Sequence, residues 1–366
     1  MKSHRPDNIL LAVSIILVIL GISILASVST SYSQTKFGST FYLLVHQITY
    51  GLIPGLILGA IAYKMSLAFL KKWSPILFLI NLILLALVFL PKIGFRLSGA
   101  ARWIKLGPFL FQPSEFLKIT FILYLAAWLV SIQEKKSKRT SRTFIAFFAI
   151  LGIIGLILSF QPDISTLGII ILTAILMYFM SDTPFWHIIL IVIIGAGILV
   201  PLISFTPYRL SRISVFLNPD ADPMGEGYHL KQALITTGSG GILGLGLGMS
   251  QQKFEGLPES ISDTIFVVFA EETGFIGCLI LIALFLVFLW RAFVISKKSQ
   301  DNFSKSITTG IGAWIIIQAF INIGGMIGIF PVAGVPLPFV SYGGSAEIAE
   351  LIGLGLLLNV SKNTIL

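Results

Sequence analysis

The sequence has one cysteine, Cys278, and four histidines in 366 residues. A lone cysteine excludes a disulfide framework within the chain, and its place in an apolar run marks it for helix packing. The histidines are scattered without metal-ligand spacing. Charge is scarce too, at 11% of residues. The glycine-rich stretch GSGGILGLGLG lacks a following Gly-Lys-Ser/Thr and a strand–turn–helix context, so it is a weak match to a nucleotide loop. Its glycines would still let backbone N–H groups approach an anion.

What is abundant is apolar sequence. Hydrophobic residues make up 56% of the chain and the mean hydropathy is +0.95, more apolar surface than a soluble domain needs. Repeated runs of about 18 or more apolar residues read as transmembrane helices. Ten spans are expected, near 9–28, 42–65, 74–90, 116–132, 143–160, 164–180, 186–204, 264–293, 307–330 and 343–360. The first follows Lys2 and Arg5, and because more spans follow it reads as an uncleaved helix, not a signal peptide. The expected fold is an all-α polytopic membrane protein, one integral-membrane domain over residues 1–366. One long extracytoplasmic loop, 205–263, joins helices seven and eight. No internal repeat of the transporter kind is visible.

Net charge is +9. In a membrane protein this reflects basic cytoplasmic loops and anionic lipid, with no need for nucleic acid. The basic stretches YKMSLAFLKKW, EKKSKRTSR and RAFVISKKSQDNFSK fall on one side. The positive-inside rule then puts both termini in the cytoplasm.

The remaining charges gather on the other side. In RLSGAARWIKLGPFLFQPSEFLK, Glu115 and Lys118 share a helix face. Pro113 can start that helix, Glu115 can complement its dipole, and Lys118 can snorkel or pair with Glu115. A lysine one turn inside a span is costly, which favours a function for Lys118. Asp163 either caps the sixth span or holds a carboxylate at the outer rim. Arg209, Arg212, Lys231 and Lys253 add positive charge to the long loop.

Asp263 precedes an apolar run, where an aspartate is a good N-cap. Glu271 lies about 12 Å further along the helix and about 80° around it, and Glu272 is nearly opposite Asp263. Neither glutamate should face lipid, so each needs a partner inside the bundle, with Lys118 and the outer arginines as natural basic candidates. Cations suit a diphosphate, and a carboxylate suits deprotonation of a hydroxyl. The set fits glycosyl transfer from a lipid diphosphate or transport of an anionic lipid or solute.

The stretches GAARWIKLG, FQPSEFLK, QPDIST, FLNPDADPMGEGYHLKQAL, LPESISDTIFVVFAEETGFIG, QAFINIGGMIGIFPVAGVPLPFVSYGGS and GLLLNV occur in an order that resembles the SEDS family of peptidoglycan polymerases, which includes FtsW, RodA and SpoVE. GLGMSQQK and YRLSRISVFLNP are most similar to the FtsW and SpoVE branch. The resemblance implies ten helices and an inverting peptidoglycan glycosyltransferase in the bacterial cytoplasmic (inner) membrane, serving division, elongation or sporulation. Its active site would face outward. It would polymerise lipid II into β-1,4 glycan and release undecaprenyl diphosphate.

By the same matching Asp263 is the general base. Arg102, Lys118 and Arg212 meet the diphosphate or buried carboxylates, with Lys253, Glu115, Asp163 and Ser341 supporting the substrate site. Glu271 and Glu272 organise the helix bundle. The expected partners are a class B penicillin-binding protein transpeptidase and other division or elongation membrane proteins. No cofactor is implied, and a divalent cation between outer carboxylates and diphosphate is the one addition allowed. A lipid II flippase and a non-catalytic scaffold are the alternatives. The chain departs from the family at Ile261, Ser262 and Thr264, where His, Thr and Phe are usual around the aspartate. That leaves the base in place and alters its hydrogen-bonding surroundings.

Overall fold

The computed structural model describes residues 6–364 apart from 98–99, 108, 135–139, 182–188, 190–191, 194, 196, 198–203, 205–206, 223–224 and 251–261. Its helices, in chain order, are α1 (Asn8–Phe37), α2 (Tyr42–Lys64, with a π turn at Ile48–Leu52) and α3 (Leu67–Leu87). Then come α4 (Pro113–Glu134), α5 (Thr140–Phe160), α6 (Ile164–Phe179), α7 (Pro207–Leu217) and α8 (Glu226–Ser239). The last three are α9 (Ile265–Lys298), α10 (Asn302–Met326) and α11 (Gly344–Lys362). Seven of these are long and apolar enough to cross a membrane, and Ile145–Phe160 and Ile164–Phe179 are shorter apolar helices. The expected span 186–204 lies largely outside the described residues.

The expectation of an all-α chain needs one correction. Between α3 and α4 stands an antiparallel sheet of three strands, β1 (Gly94–Leu97), β2 (Ala100–Leu106) and β3 (Phe109–Phe111). Phe95 pairs with Trp103, and Ile104 with Phe111. Gly107 turns β2 into β3 at φ +63. The segment is too polar to span and is cut by turns, so its backbone finds partners in its own strands.

Among the candidate spans α4, α10 and α11 are the most buried, and the core they share extends to α1, α5, α6 and the start of α9. Helix α11 lies against α2, where Gly51, Gly55 and Gly59 recur every fourth residue and let the two backbones meet. A Cβ on Gly355 would fall 2.1 Å from the Gly59 carbonyl oxygen. Pro75 inside α3 cannot donate to Lys71 O, and Ser74 Oγ does so instead at 3.0 Å.

One end of the bundle carries the sheet, and side-chain hydrogen bonds join the connections there. At the opposite end Asp7 caps α1 through Leu10 N at 2.8 Å. It also accepts from Arg291 Nε on α9 at 3.0 and 3.2 Å, while its backbone N–H donates to Ser361 Oγ on α11 at 3.1 Å.

Helix α9 is broken at Gly274, which has φ 66 and ψ −167. The glycine-rich stretch after α8 lies along the break. Leu245 N and Gly246 N donate to Glu271 O and Glu272 O at 3.0 Å. Phe275 N and Ile276 N donate to Gly241 O and Ile242 O at 2.9 and 3.2 Å. These glycines therefore bring backbone to a helix break, and the N–H groups of Gly244, Leu245 and Gly246 are taken up by main-chain carbonyls. The break lies about 14 Å from the start of α9, so this part of the long connection re-enters the bundle.

Irregular backbone at that depth has to be paired within the protein. A Cβ on Gly274 would sit 2.3 Å from Gly244 N and 2.7 Å from Ile242 O. Gly274→Ala is accordingly expected to destabilise the protein by roughly 2–4 kcal/mol. Gly152→Ala, where an added Cβ meets nothing within 4 Å, should be neutral or slightly stabilising. Thermal unfolding of the detergent-solubilised protein checks both.

Candidate active site

The last connection, 327–343, is the organising element of the sheet end. It is largely non-helical yet buried at Val335, Leu337, Phe339 and Val340. Its backbone groups are satisfied by side chains from several helices. Arg212 Nη1 on α7 donates to Val332 O at 3.0 Å, and Ser165 Oγ on α6 donates to Ala333 O. Asn322 and Gln318 on α10 donate to Val335 O at 2.7 Å and Pro336 O at 3.0 Å. Phe339 N donates to Glu350 Oε2 on α11 at 2.7 Å. Ser341 Oγ accepts from Leu337 N at 2.8 Å and closes the turn.

Asp263 stands beside this connection. The N-cap of α9 is Thr264, whose side chain makes no capping bond, so α9 starts one residue later than expected and Asp263 occupies a turn. Its carbonyl accepts from Asn322 Nδ2 at 2.8 Å. A Cβ built on Gly334 would lie 3.3 Å from Asp263 Oδ2 and 3.9 and 4.0 Å from Arg212 Nη1 and Nη2. The carboxylate and the guanidinium thus converge on a backbone position that has no side chain. Gly334 also has φ +63, where a larger residue would be strained.

A second group surrounds Asp163. It sits at the N-cap of α6, accepting from Thr166 N at 3.4 Å, and its Oδ2 accepts from Ser114 Oγ at 3.1 Å. Arg102 on β2 donates through Nε to Gln161 O at 3.0 Å and through Nη2 to Pro162 O. The arginine and the carboxylate therefore flank one turn.

A third group is internal. Lys118, only 2% exposed, donates to Glu115 Oε2 at 2.7 Å and to Gln318 Oε1 at 2.8 Å. Its ammonium lies 5.1 Å from the Trp314 ring centroid, and Gln318 Nε2 reaches Glu350 Oε1 at 3.4 Å. Glu271 and Glu272 are both buried. They accept from the hydroxyls of Ser250 and Ser27, the latter at 2.6 Å. Lys118 thus pairs with Glu115, as their shared helix face allows, and its hydrogen bonds among the described residues go there and to Gln318, not to Glu271 or Glu272, the alternative expectation.

At the same end Tyr342 hydrogen-bonds His46 Nδ1 at 3.0 Å. Burial, and then the neighbouring Tyr42 and Tyr32, push its phenol up to about 12, so it stays protonated at neutral pH. Lys253 and Ile261 lie outside the described residues. Among the described residues no group of three or more His, Cys, Asp or Glu is placed to hold a metal ion.

Reading the sequence for charge overlooked Gln318, Asn322, Glu347 and Glu350. The signal was there: polar side chains inside apolar spans are expensive and need a reason. Gln318 and Asn322 are one turn apart on α10, and both serve the connection 327–343. Glu347 accepts from Gln47 Nε2 on α2, and Gly343 N donates to Gln47 Oε1 at 3.1 Å.

Comparison with known proteins adds a family model described as "Cell cycle protein", of FtsW, RodA and SpoVE, which matches residues 7–365. Stage V sporulation protein E of Bacillus subtilis is 37% identical over 363 residues, covering 99% of this chain and 98% of that protein. A probable peptidoglycan glycosyltransferase FtsW of Nitrosococcus halophilus is 37% identical over 366 residues, covering 99% and 94%. Among solved structures, a chain from "Structural coordination of polymerization and crosslinking by a peptidoglycan synthase complex" aligns with TM-score 0.79 and 27% identity, covering 98% of each chain. The rod shape determining protein RodA of Thermus thermophilus aligns with TM-score 0.72 and 26% identity, covering 98% and 97%.

Proposed function

Since the chain belongs to the FtsW, RodA and SpoVE family of cell cycle proteins, we propose that it is an integral-membrane peptidoglycan glycosyltransferase that polymerises lipid II, with Asp263 as its general base. The convergence of Asp263 and Arg212 on Gly334 is the observation that carries this reading. A sugar 4-hydroxyl is a weak nucleophile until its proton leaves, and a carboxylate within hydrogen-bond reach takes that proton as the O–C bond forms. The acceptor oxygen attacks the donor's anomeric carbon from the face opposite the diphosphate. The C–O bond to undecaprenyl diphosphate breaks, and the configuration inverts without a covalent enzyme intermediate. Negative charge grows on the departing diphosphate, and a guanidinium offers it a planar pair of donors. Arg212 and Arg102 have that role, with Lys253.

Glu115, Lys118, Asp163 and Ser341 act one step away, by holding the walls on which the substrate rests. Glu271 and Glu272 hold the broken α9 to its neighbours. A divalent cation would arrive with the diphosphate as its counter-ion. The proposed architecture is about ten transmembrane helices in the bacterial cytoplasmic membrane. Both termini are cytoplasmic, the long connection 205–263 follows the seventh helix, and the site is on the outer face. The partner is a class B penicillin-binding protein transpeptidase, a pairing supported by the likeness to a chain of a peptidoglycan synthase complex. Other division or elongation membrane proteins join the assembly.

Purified protein supplied with lipid II and its transpeptidase partner is expected to yield glycan chains of many disaccharides, read by gel separation of the labelled product. Labelled lipid II crossing a liposome bilayer with no polymer formed would replace the polymerase with a flippase. Neither activity, together with normal growth of cells carrying charge-neutral variants of the site, would leave a scaffold.

A further inference from the structure

Asn322 is 2% exposed and lies near the sheet end of α10. One nitrogen, Nδ2, donates to Asp263 O at 2.8 Å and to Val335 O at 2.7 Å. Both partners are carbonyls, so the amide orientation is settled, because the flipped form would set oxygen against oxygen. Among the described residues Asn322 Oδ1 has no hydrogen-bond partner. The side chain's hydrogen bonding is spent on joining two backbone segments.

Those two segments carry the site. Val335 follows Gly334, the position on which Asp263 Oδ2 and the Arg212 guanidinium converge. Arg212 is itself attached to the same stretch through Val332 O. One carboxamide thus sets the distance between the residue bearing the carboxylate and the strip of backbone bearing the guanidinium. Few side chains can replace it. Aspartate has the shape with no donor, leucine has the size with no polar atom, and serine has a single donor.

The geometry points to Asn322 as a positioning residue for the glycosyl transfer, one that fixes Asp263 against Gly334 and Arg212 without touching substrate. It rests on the reading of Asp263 as the base. Loss of the bridge leaves the carboxylate present and misplaced, and a misplacement of about 1 Å costs on the order of 100-fold in rate. Because the base remains, the acid limb of the pH–rate profile persists and shifts with the altered surroundings.

The test uses the full chain with its transpeptidase partner and lipid II. Asn322→Asp and Asn322→Leu are expected to lower kcat about 100-fold with KM within about threefold, and to move the acid limb. Melting temperature and bound lipid II report whether each variant is folded. Gly334→Ala perturbs the same contact without altering Asn322, since its Cβ would fall 3.3 Å from Asp263 Oδ2, and the same kinetic pattern is expected. A folded Asn322→Leu with kcat within threefold of wild type overturns the inference. If that variant does not fold, a folded Asn322→Asp enzyme, which has the shape without the donor, with wild-type kcat and acid limb overturns it equally. Failure of the underlying base reading shows elsewhere, as full activity in Asp263→Asn.

Discussion

Asp263→Asn is expected to slow glycan polymerisation by roughly 10²–10⁴-fold, the usual worth of a positioned general base. The substitution keeps the shape of the side chain and removes its ability to accept a proton at neutral pH. It leaves the backbone carbonyl that Asn322 holds at 2.8 Å. It also costs no helix cap, because the N-cap of α9 is Thr264. The loss should therefore fall on kcat, with KM changed by only a few-fold and the melting temperature close to wild type. In the wild type the rate falls as the base is protonated at low pH, and that limb should vanish in the variant. Polymerisation at the wild-type rate would remove Asp263 from the chemistry. Steady-state kinetics with purified lipid II, from pH 4 to 8 on the order of one unit per step, decides it.

Lys118→Met is expected to be the most damaging single change for stability. The lysine is 2% exposed and its ammonium bonds Glu115 at 2.7 Å and Gln318 at 2.8 Å. Methionine fills a similar volume, so little packing is lost. What remains is a buried carboxylate without its counter-charge, an effect that typically costs about 3–5 kcal/mol. The double variant Glu115→Gln/Lys118→Met removes both charges and should regain most of that loss. Thermal unfolding in detergent, with yield of folded protein as a second readout, checks the pair. A single variant as stable as wild type would show that the pair contributes little, and a double variant no better than the single would move the effect to Gln318. The consequence reaches the site, because Gln318 also donates to Pro336 O at 3.0 Å.

The spans were legible because they are set by local composition. A run of apolar residues long enough for a hydrocarbon layer is a statement about one stretch of chain, and each expected span that falls on described residues coincides with an apolar helix. Their ends were less legible. Helix α3 begins at Leu67, before Lys71 and Lys72, because Ser74 supplies the bond that Pro75 takes away. The three strands were missed because their short segments lack a long alternating pattern, and pairing with one another is what makes them strands. The glycines of 238–248 showed that backbone comes close to something. That the something is a broken helix depended on Gly274, which is read only with both segments together.

The candidate site divides the same way. Asp263, Arg212, Arg102 and the pair Glu115 and Lys118 were visible as charges that an apolar chain does not keep without use. The sequence by itself determined that this is a polytopic membrane protein with acids and bases beside its apolar spans, since hydropathy and charge are properties of each residue. Only the tertiary structure decided how they group. Lys118 reaches a glutamine 200 residues away, and the carbonyl of Asp263 is held by an asparagine 59 residues away. It also showed that the plain-looking connection 327–343 gathers Arg212, Gln318 and Asn322. A buried backbone without regular structure must find its hydrogen bonds in side chains, and those side chains come from helices far apart in the chain.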